Sequence, residues 1–428
     1  MSDSTFRRCG AASPGRRRMG VHPGAPPARP RAAGWVPLWI GLLLMLWAAC
    51  AAADPIGQAL ALGNASLVVE EGGRTVIADN ADRGMVPAST MKLLTALAAI
   101  ERWGLSHRFT TQFRRGGDGR LWVVGQGDPY LVSEELDQAV RALRRQGVSS
   151  VSGIGLDDTL FAAGDRIPGR SSSHNPYDAP VTALAVNFNT VNVVVSGGRV
   201  STAETQTQLT RTAQRMGAAM GAGKHRINLR TRDNALSHFG ELLSAKLKAA
   251  GIRVNGGVTV GRVPAGATLL LTHRNSRPLS TVVENMLEYS TNFVANDLFL
   301  LLGERGGRSS MAQSQRALED WARRKFGWRD FVIEDGAGLS RGNRLSGRQL
   351  IDVLDAMAPY RNLVPAQDGN PNVRAKTGTL RGVSCYAGWV RRNAGWTPFS
   401  LLINQPVSYG FRNQVASALA TAPTLARY

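Results

Sequence analysis

Ser89 and Lys92 stand three residues apart in the run Pro87-Ala88-Ser89-Thr90-Met91-Lys92. That spacing is close to one helical turn, so both side chains leave the same face. A serine hydroxyl beside a lysine amine is a nucleophile with its own base, provided that the amine is neutral. Such chemistry needs no histidine. The stretch from Met91 to Arg102 is rich in Ala and Leu and lacks Gly and Pro, which predicts a helix. It is apolar nearly all round, so the helix is expected to be buried, and burial depresses a lysine. Pro87 sits just ahead, where a helix start tolerates it. Ser89 then falls in the first turn, near free N–H groups and the positive end of the helix dipole. Chance also produces Ser-x-x-Lys in a chain of 428 residues, usually with a solvated lysine. The apolar surroundings of Lys92 and two further motifs separate the readings.

Those further motifs lie in the second half. Ser290-Thr291-Asn292 offers a hydroxyl that can relay a proton and an amide that can hold a peptide group. Lys376-Thr377-Gly378-Thr379 offers a cation, hydroxyls, a glycine for close approach and a strand backbone. On an edge strand it can pair with an extended peptide and hold its carboxylate. Taken singly, each is an ordinary polar turn or a solvated strand. Their order in one chain is what carries weight.

The elements that must position them follow from the pattern of the chain. Ile56–Leu62 reads as a short helix, and 66–70 with 75–77 as a hairpin. Beyond Thr110 the character turns to short strands, with an amphipathic helix over Glu134–Gln146, a helix over Ser237–Ala250 and a strand at 257–260. Val200–Gly223 is rich in Thr, Gln, Ala and Gly, with only Val200, Leu209, Met216 and Met220 as sizeable apolar residues. Gly197–His225, the stretch around it, is therefore expected to be a mobile excursion with no nested domain. A continuous helical block is expected from Leu279 to about Glu304, then helices over 309–326 and 346–358. The end reads as an antiparallel meander over 373–404 and a terminal helix near 411–422. Helices on an antiparallel sheet, interrupted by a β-rich middle, predict an α+β protein with an inserted domain.

Charge and cysteine content narrow the function. Residues 1–33 hold seven Arg against Asp3, and an uncharged run follows from Gly34 to Ala53. Its small-residue end, Ala51-Ala52-Ala53 before Asp54, fits secretory cleavage. At twenty residues the run could instead stay as an anchor. A lipoprotein at Cys50 fits less well, because Trp47 stands where an aliphatic residue is usual, and the long leader leaves Met19 as an alternative start. The chain carries +20 in all, and +14 after residue 53. No aromatic-interleaved basic stripe accompanies this charge, so it points to solubility or an anionic envelope and away from nucleic acid. Cys385 is the one cysteine after the leader, so no internal disulfide is expected. No His/Cys/Asp cluster has ligand spacing, so no metal site is expected, and serine–lysine chemistry needs no organic cofactor. His107, His174, His225, His238 and His273 stand in loops or at charged helix edges, away from any Gly-x-Ser-x-Gly.

The order Ser-x-x-Lys, Ser-x-Asn, Lys-Thr-Gly resembles the penicillin-recognising serine enzymes. Ser89 and Ser290 are 201 residues apart, and Ser290 and Lys376 are 86 apart. The long first gap is similar to that of the D-alanyl-D-alanine carboxypeptidase/endopeptidase family of class C low-molecular-mass penicillin-binding proteins. The likeness covers roughly 55–428 and includes Gly125-Gln126-Gly127-Asp128-Pro129, Ala185-Val186-Asn187-Phe188-Asn189 and Asp335-Gly336-Ala337-Gly338-Leu339-Ser340-Arg341. It implies a β-lactamase/transpeptidase-like domain formed by 54–112 and 271–428, with an inserted domain over 113–270 after the 1–53 leader. Family members commonly nest a second insert in the first, and here it is expected to be reduced or absent. An Asp that grips the substrate's diamino acid does not map cleanly, and Asp178 is the nearest candidate.

The resemblance further implies an exported hydrolase acting on peptidoglycan stem peptides through an acyl-enzyme, with β-lactam antibiotics as covalent inhibitors. Ser89 would attack, Lys92 take its proton and Ser290 relay it to the leaving amine. Asn292 would position the acylated peptide, while Lys376, Thr377, Gly378 and Thr379 face the terminal carboxylate. The N–H groups of Ser89 and Thr379 would form the oxyanion hole. A β-lactamase would need a deacylating carboxylate, for which Glu304 and Glu319 are available without the usual loop. A wall-binding protein with no activity would need neither Ser89 nor its base.

Overall fold

The computed structural model describes residues 54–393 and 395–428. The expected leader, cleavage point and anchor lie outside the described residues. Among the described residues no helix is long and apolar enough to cross a membrane.

The scaffold of the motifs is a six-stranded sheet in the order β13-β14-β15-β16-β1-β2, antiparallel throughout. Its strands are β1 (Ala65–Glu71), β2 (Arg74–Asp79), β13 (Ala366–Gln367), β14 (Asn370–Leu380), β15 (Val383–Arg392) and β16 (Gly395–Ile403). The middle strands β15, β16 and β1 are covered on both faces and buried over most of their length, whereas β2 and much of β14 are partly exposed. α1 (Pro55–Leu60) and α10 (Phe411–Thr421) pack on one face, around Leu67, Val69, Phe399 and Leu401. The other face carries α2 (Met91–Trp103), α6 (Leu279–Glu288), α7 (Asn292–Leu302), α8 (Met311–Phe326) and α9 (Gly347–Met357).

α2 is the buried helix that the sequence predicts. Every residue from Met91 to Ile100 is buried. Leu93, Leu94, Leu97 and Ile100 are at most 3% exposed, and each stabilises by roughly 1.5–3 kcal/mol. Together they outweigh the several kcal/mol that drawing one amine out of water costs. Ser89 lies in a short 3-10 turn, Ala88–Thr90, just ahead of the α-helix rather than within its first turn.

Residues 110–274 form a second layer set. Five strands run in the order β11-β6-β4-β3-β12: β3 (Thr110–Arg115), β4 (Leu121–Gly125), β6 (Ile154–Asp157), β11 (Val258–Val260) and β12 (Thr268–Arg274). β6 runs parallel to β4 and β11, and the other pairs are antiparallel. α3 (Ser133–Arg145) and α5 (Arg232–Ala249) close its core with Leu136, Leu143, Phe239 and Leu243. Two short strands, β5 (Ser150–Val151) and β10 (Arg253–Val254), pair in parallel beside it.

Two expectations need correction. The Leu279–Glu304 block is two helices, α6 and α7, broken where Ser290 takes a positive φ of 53°. The 197–225 stretch is packed and not an excursion. β8 (Arg199–Thr202), β7 (Thr190–Ser196) and β9 (Gly223–Asn228) form a three-stranded antiparallel sheet covered by α4 (Arg211–Gly217). Its core joins Ala213 and Met216 to Val191 and Val193 before it, and to Ile227, Leu229 and Ala235 after it. A segment too poor to make a core has completed one with its flanks.

Candidate active site

The Ser89 turn is clamped from three sides. Asn404, just past the end of β16, accepts from Val86 N at 2.8 Å and donates to Val86 O at 3.1 Å. Thr90 Oγ1 donates to Pro87 O at 2.7 Å. Ala88 has a φ of 46°, unusual for a residue with a Cβ, and Gly338 presses on its carbonyl from the 335–341 loop. A Cβ on Gly338 would lie 1.7 Å from Ala88 O. That loop is folded around the buried Asp335 carboxylate, which accepts from the backbone N–H groups of Ala337, Leu339 and Ser340 and from Asn343 Nδ2.

Lys92 joins the first two motifs. Its Nζ lies 2.9 Å from Ser89 Oγ and donates to Asn292 Oδ1 at 2.7 Å and to Ala337 O at 2.8 Å. Asn292 Nδ2 donates to Tyr177 O at 3.2 Å, which turns Oδ1 toward the amine. A neutral amine has two N–H bonds, and two pure acceptors take both. Its lone pair is then left for the Ser89 hydroxyl. Lys92 is 0% exposed, and burial first, then the Lys376 charge, hold its amine well below the ordinary lysine range. Asp335 pulls the other way and only partly offsets this. The arrangement is that of a general base next to a nucleophile.

The third motif lies across the turn. Lys376↔Ala387, Gly378↔Cys385 and Thr379↔Ser384 fix the register of β14 on β15. A Cβ on Gly378 would come 2.8 Å from Pro87 O and 3.1 Å from Ser89 N, so the glycine lets the strand reach the Ser89 turn. Cys385, opposite it, is fully buried, and its Sγ donates to Val86 O at 3.4 Å. Burial pushes this thiol up to about 12. β13 pairs with β14 only through Arg374 and Asn370, so the 376–380 half has β15 as its single paired strand. Thr379 is exposed there and Thr377 is half-buried. Lys376 is 1% exposed, and its Nζ donates to Thr377 O at 3.1 Å.

Ser290 is half-buried in the turn between α6 and α7, and among the described residues its hydroxyl makes no hydrogen bond. Asp178 sits differently from the sequence expectation. It is 1% exposed, and its carboxylate accepts from Ser171 N at 2.9 Å and from the Ser171 and Ser173 hydroxyls. It holds the loop next to Tyr177 and offers no free oxygen to a ligand. Of the remaining motifs, Asp128 accepts from Asn275 Nδ2 and Tyr130 N, and Asn189 Nδ2 donates to Pro180 O and Thr182 Oγ1. Both build loops rather than a reacting centre. Glu304 Oε1 accepts from Gly307 N, and Glu319 forms ion and hydrogen bonds with Arg323 and Ile333 N, so both are engaged in local structure.

Sequence reading missed Arg412. It is the second residue of α10, and its Nη1 donates to Gly378 O at 3.0 Å and Thr379 Oγ1 at 2.7 Å. It has no carboxylate partner among the described residues. Thirty-three positions separate it from Thr379, and no spacing pattern links them. Burial, followed by the Arg412 charge, brings Lys376 down to about 8, with Glu288 opposing. Two cations thus flank an exposed strand edge without an anion between them.

Comparison with known proteins agrees with this geometry. The sequence profile of the D-Ala-D-Ala carboxypeptidase 3 (S13) family matches residues 58–223 and 205–371. The chain belongs to this family. It is 28% identical over 425 residues to the D-alanyl-D-alanine carboxypeptidase of Actinomadura sp., an alignment covering 78% of this chain and 77% of the relative. Among solved structures it is similar to penicillin binding protein 4 from Haemophilus influenzae, with a TM-score of 0.72 and 21% identity. That match covers 85% of this chain and 98% of the other. The same protein complexed with a β-lactam matches with a TM-score of 0.66 and 21% identity, over 85% of this chain and 97% of the other. The expected D-alanyl-D-alanine carboxypeptidase/endopeptidase family and the α+β penicillin-recognising fold are therefore both met.

Proposed function

We propose that this chain is a serine D-Ala-D-Ala carboxypeptidase, endopeptidase or both, cutting peptidoglycan stem peptides next to a D-Ala carbonyl. The observation that carries the reading is the buried, depressed Lys92 amine 2.9 Å from Ser89 Oγ. Membership of the S13 family supports it. In this reading Ser89 attacks the D-Ala carbonyl and Lys92 takes its proton. Ser290 passes the proton to the leaving amine, and Asn292 holds the acylated peptide. The N–H groups of Ser89 and Thr379 stabilise the oxyanion. Water then releases the acyl group.

Residues 54–112 and 271–428 act as the catalytic domain and 113–270 as the insert, with the small 190–228 sheet as a reduced nested unit. The protein works in the bacterial cell envelope, reached by an export signal before Asp54, and β-lactams acylate Ser89. Labelled penicillin followed by peptide mapping tests the nucleophile. Digestion of purified sacculi tests the reaction: free D-Ala identifies the carboxypeptidase and loss of cross-linked dimers the endopeptidase. Label on any residue other than Ser89, or unchanged sacculi, would reject the proposal.

Lys376, Thr377, Thr379 and Arg412 hold the carboxylate of the leaving group in this reading. Lys376 loses its charge as pH rises through about 8, so the KM of a peptide substrate is expected to climb there. Arg412→Ala removes one of the causes that depress Lys376, so the alkaline limb moves to higher pH. It also lowers kcat/KM by roughly tenfold or more, the size of a charge-assisted hydrogen bond. Peptides ending in an amide should be insensitive to the change. A limb that stays in place in Arg412→Ala argues that the arginine does not reach this subsite.

A further inference from the structure

Asn187, Phe188 and Asn189 hold φ values of 52°, 60° and 52°. A Cβ makes this left-handed region costly, and even asparagine enters it as single residues rather than in series. Among the described residues no other sequence neighbours with side chains share it. The turn is gripped on both flanks. Asn187 N donates to Leu131 O at 3.1 Å, its Oδ1 accepts from Ser133 N at 2.9 Å, and its Nδ2 donates to Ser133 Oγ at 2.9 Å. Asn189 Nδ2 donates to Pro180 O at 2.9 Å and Thr182 Oγ1 at 2.8 Å, and Asn189 O accepts from Leu229 N at 2.9 Å. Strain that the surroundings enforce in this way points to a demand on position. What the turn presents is the half-buried Phe188 ring.

That ring stands in a column that ends beside Asn292. The Arg277 guanidinium lies 5.1 Å over the Tyr130 ring, Tyr130 meets Phe188 edge-on at 5.0 Å, and Phe188 meets Phe293 edge-on at 6.2 Å. Edge-to-face pairs of this kind hold rings in a defined geometry. Phe293 is 3% exposed and is the second residue of α7. Thr291 gives α7 no side-chain cap, and Ser290 ahead of it is left-handed as well, so the start of the helix depends on what packs against it. The strained turn also reaches Asn292 by a second route. Asn189 holds Pro180 O, three residues beyond Tyr177, whose carbonyl accepts from Asn292 Nδ2 at 3.2 Å. Both arms converge on the residue whose Oδ1 accepts from Lys92 Nζ at 2.7 Å.

We propose that Phe188 is a positioning residue for acylation: the strained turn braces the start of α7 through the Phe188–Phe293 contact and so sets where Asn292 presents its amide to Lys92 and to the acylated peptide. The inference rests on the peptidase reading above, which gives Asn292 that task. Phe188 acts through Asn292 and is assigned no contact with the reacting atoms. The insert is then part of the active-site scaffold, and the backbone strain at 187–189 is the cost of placing one ring.

The test follows acylation by labelled penicillin alongside thermal unfolding. Phe188→Ala and Phe188→Gly both lose the ring, but only glycine relaxes at a φ of 60°, so Phe188→Gly should melt higher than Phe188→Ala. Both should nevertheless acylate about tenfold more slowly than the parent, and at the same rate as each other. Phe188→Tyr keeps the edge-to-face pair and should stay within about twofold of the parent. In an Asn292→Ala background, losing the ring should cost less than about twofold, because it acts through the missing amide. A parental rate in folded Phe188→Gly, a rate that tracks the melting temperature, or the full slowing in both backgrounds overturns the proposal. Should either small variant not fold, Phe188→Leu takes its place and must show the same dependence on Asn292. If the parent neither acylates with penicillin nor releases D-Ala, the peptidase reading fails. Hydrogen exchange in the first turn of α7, where Ala295 N donates to Thr291 O at 3.3 Å, then still decides the brace. Faster exchange there in Phe188→Gly than in the parent supports it, and equal exchange rejects it.

Discussion

Lys92→Ala protein is expected to acylate with labelled penicillin at least about a thousandfold more slowly than the parent. The amine is fully buried against Ser89 Oγ, so bulk water does not reach the hydroxyl from that side to replace it as a base. Lys92→Arg separates base from cation. A guanidinium keeps the charge and never gives up its proton, so this variant should be as slow as Lys92→Ala. Ser89→Ala should abolish labelling, and the double variant should be no worse, because the two groups act as one unit. Truncation also strands Asn292 Oδ1 and Ala337 O, at roughly 1–3 kcal/mol each, so thermal unfolding should be followed alongside. Labelling at the parental rate by a folded Lys92→Ala protein would remove the amine from the mechanism.

Gly338→Ala should be nearly as damaging although the residue has no side chain to lose. Its φ is 75°, and the new Cβ would lie 1.7 Å from Ala88 O and 3.0 Å from Met91 Cβ. The obstacle is backbone, and Asn404 grips that backbone two residues upstream at Val86. Relief therefore has to come from moving the Ser89 turn or the 335–341 loop. We expect a stability loss of about 3 kcal/mol or more, and acylation slowed at least a hundredfold or so by misplacement of the nucleophile. Gly73→Ala is the control. Its φ is 74°, but nothing lies within 4 Å of the added carbon, so it should cost only on the order of 1 kcal/mol and leave acylation alone. Equal behaviour of the two variants would show that the contact with Ala88 is not what matters.

Much of this site was legible because its parts obey short-range periodicity. Ser89 and Lys92 are one turn apart, and the run after them is apolar on all sides, so helix, burial and a depressed amine follow from one another. The closing meander, β14 to β16, likewise announces itself through β-rich runs and a turn. The break at Ser290 was hidden because neither Gly nor Pro marks it, and a serine holds the left-handed turn. The small β7-β8-β9 sheet was missed for a related reason. Counting apolar residues inside 200–223 overlooks Val191, Val193, Ile227, Leu229 and Ala235, which lie outside the window and supply most of the core. Arg412 reaches Thr379 from another element, and such a meeting leaves no trace in local pattern. Asp178 was visible as a carboxylate, but its satisfaction by Ser171 and Ser173 depends on how the loop closes.

The central position of β1 has a consequence for how the chain assembles. β1 lies between β2 and β16, with Ala65 opposite Ile403, and Asn64 Nδ2 donates to Asn404 O across 340 residues of sequence. A hairpin of β1 and β2 alone leaves one long edge of β1 unpaired, and a lone hairpin is marginal in water. The sheet under the nucleophile therefore closes only after synthesis has passed residue 403. Contacts this distant in sequence make for slow folding and a prolonged exposed edge. The intervening β3–β12 layer has its own core and can collapse first. The Ser89 turn is made early and is set in place late, when the last strand arrives.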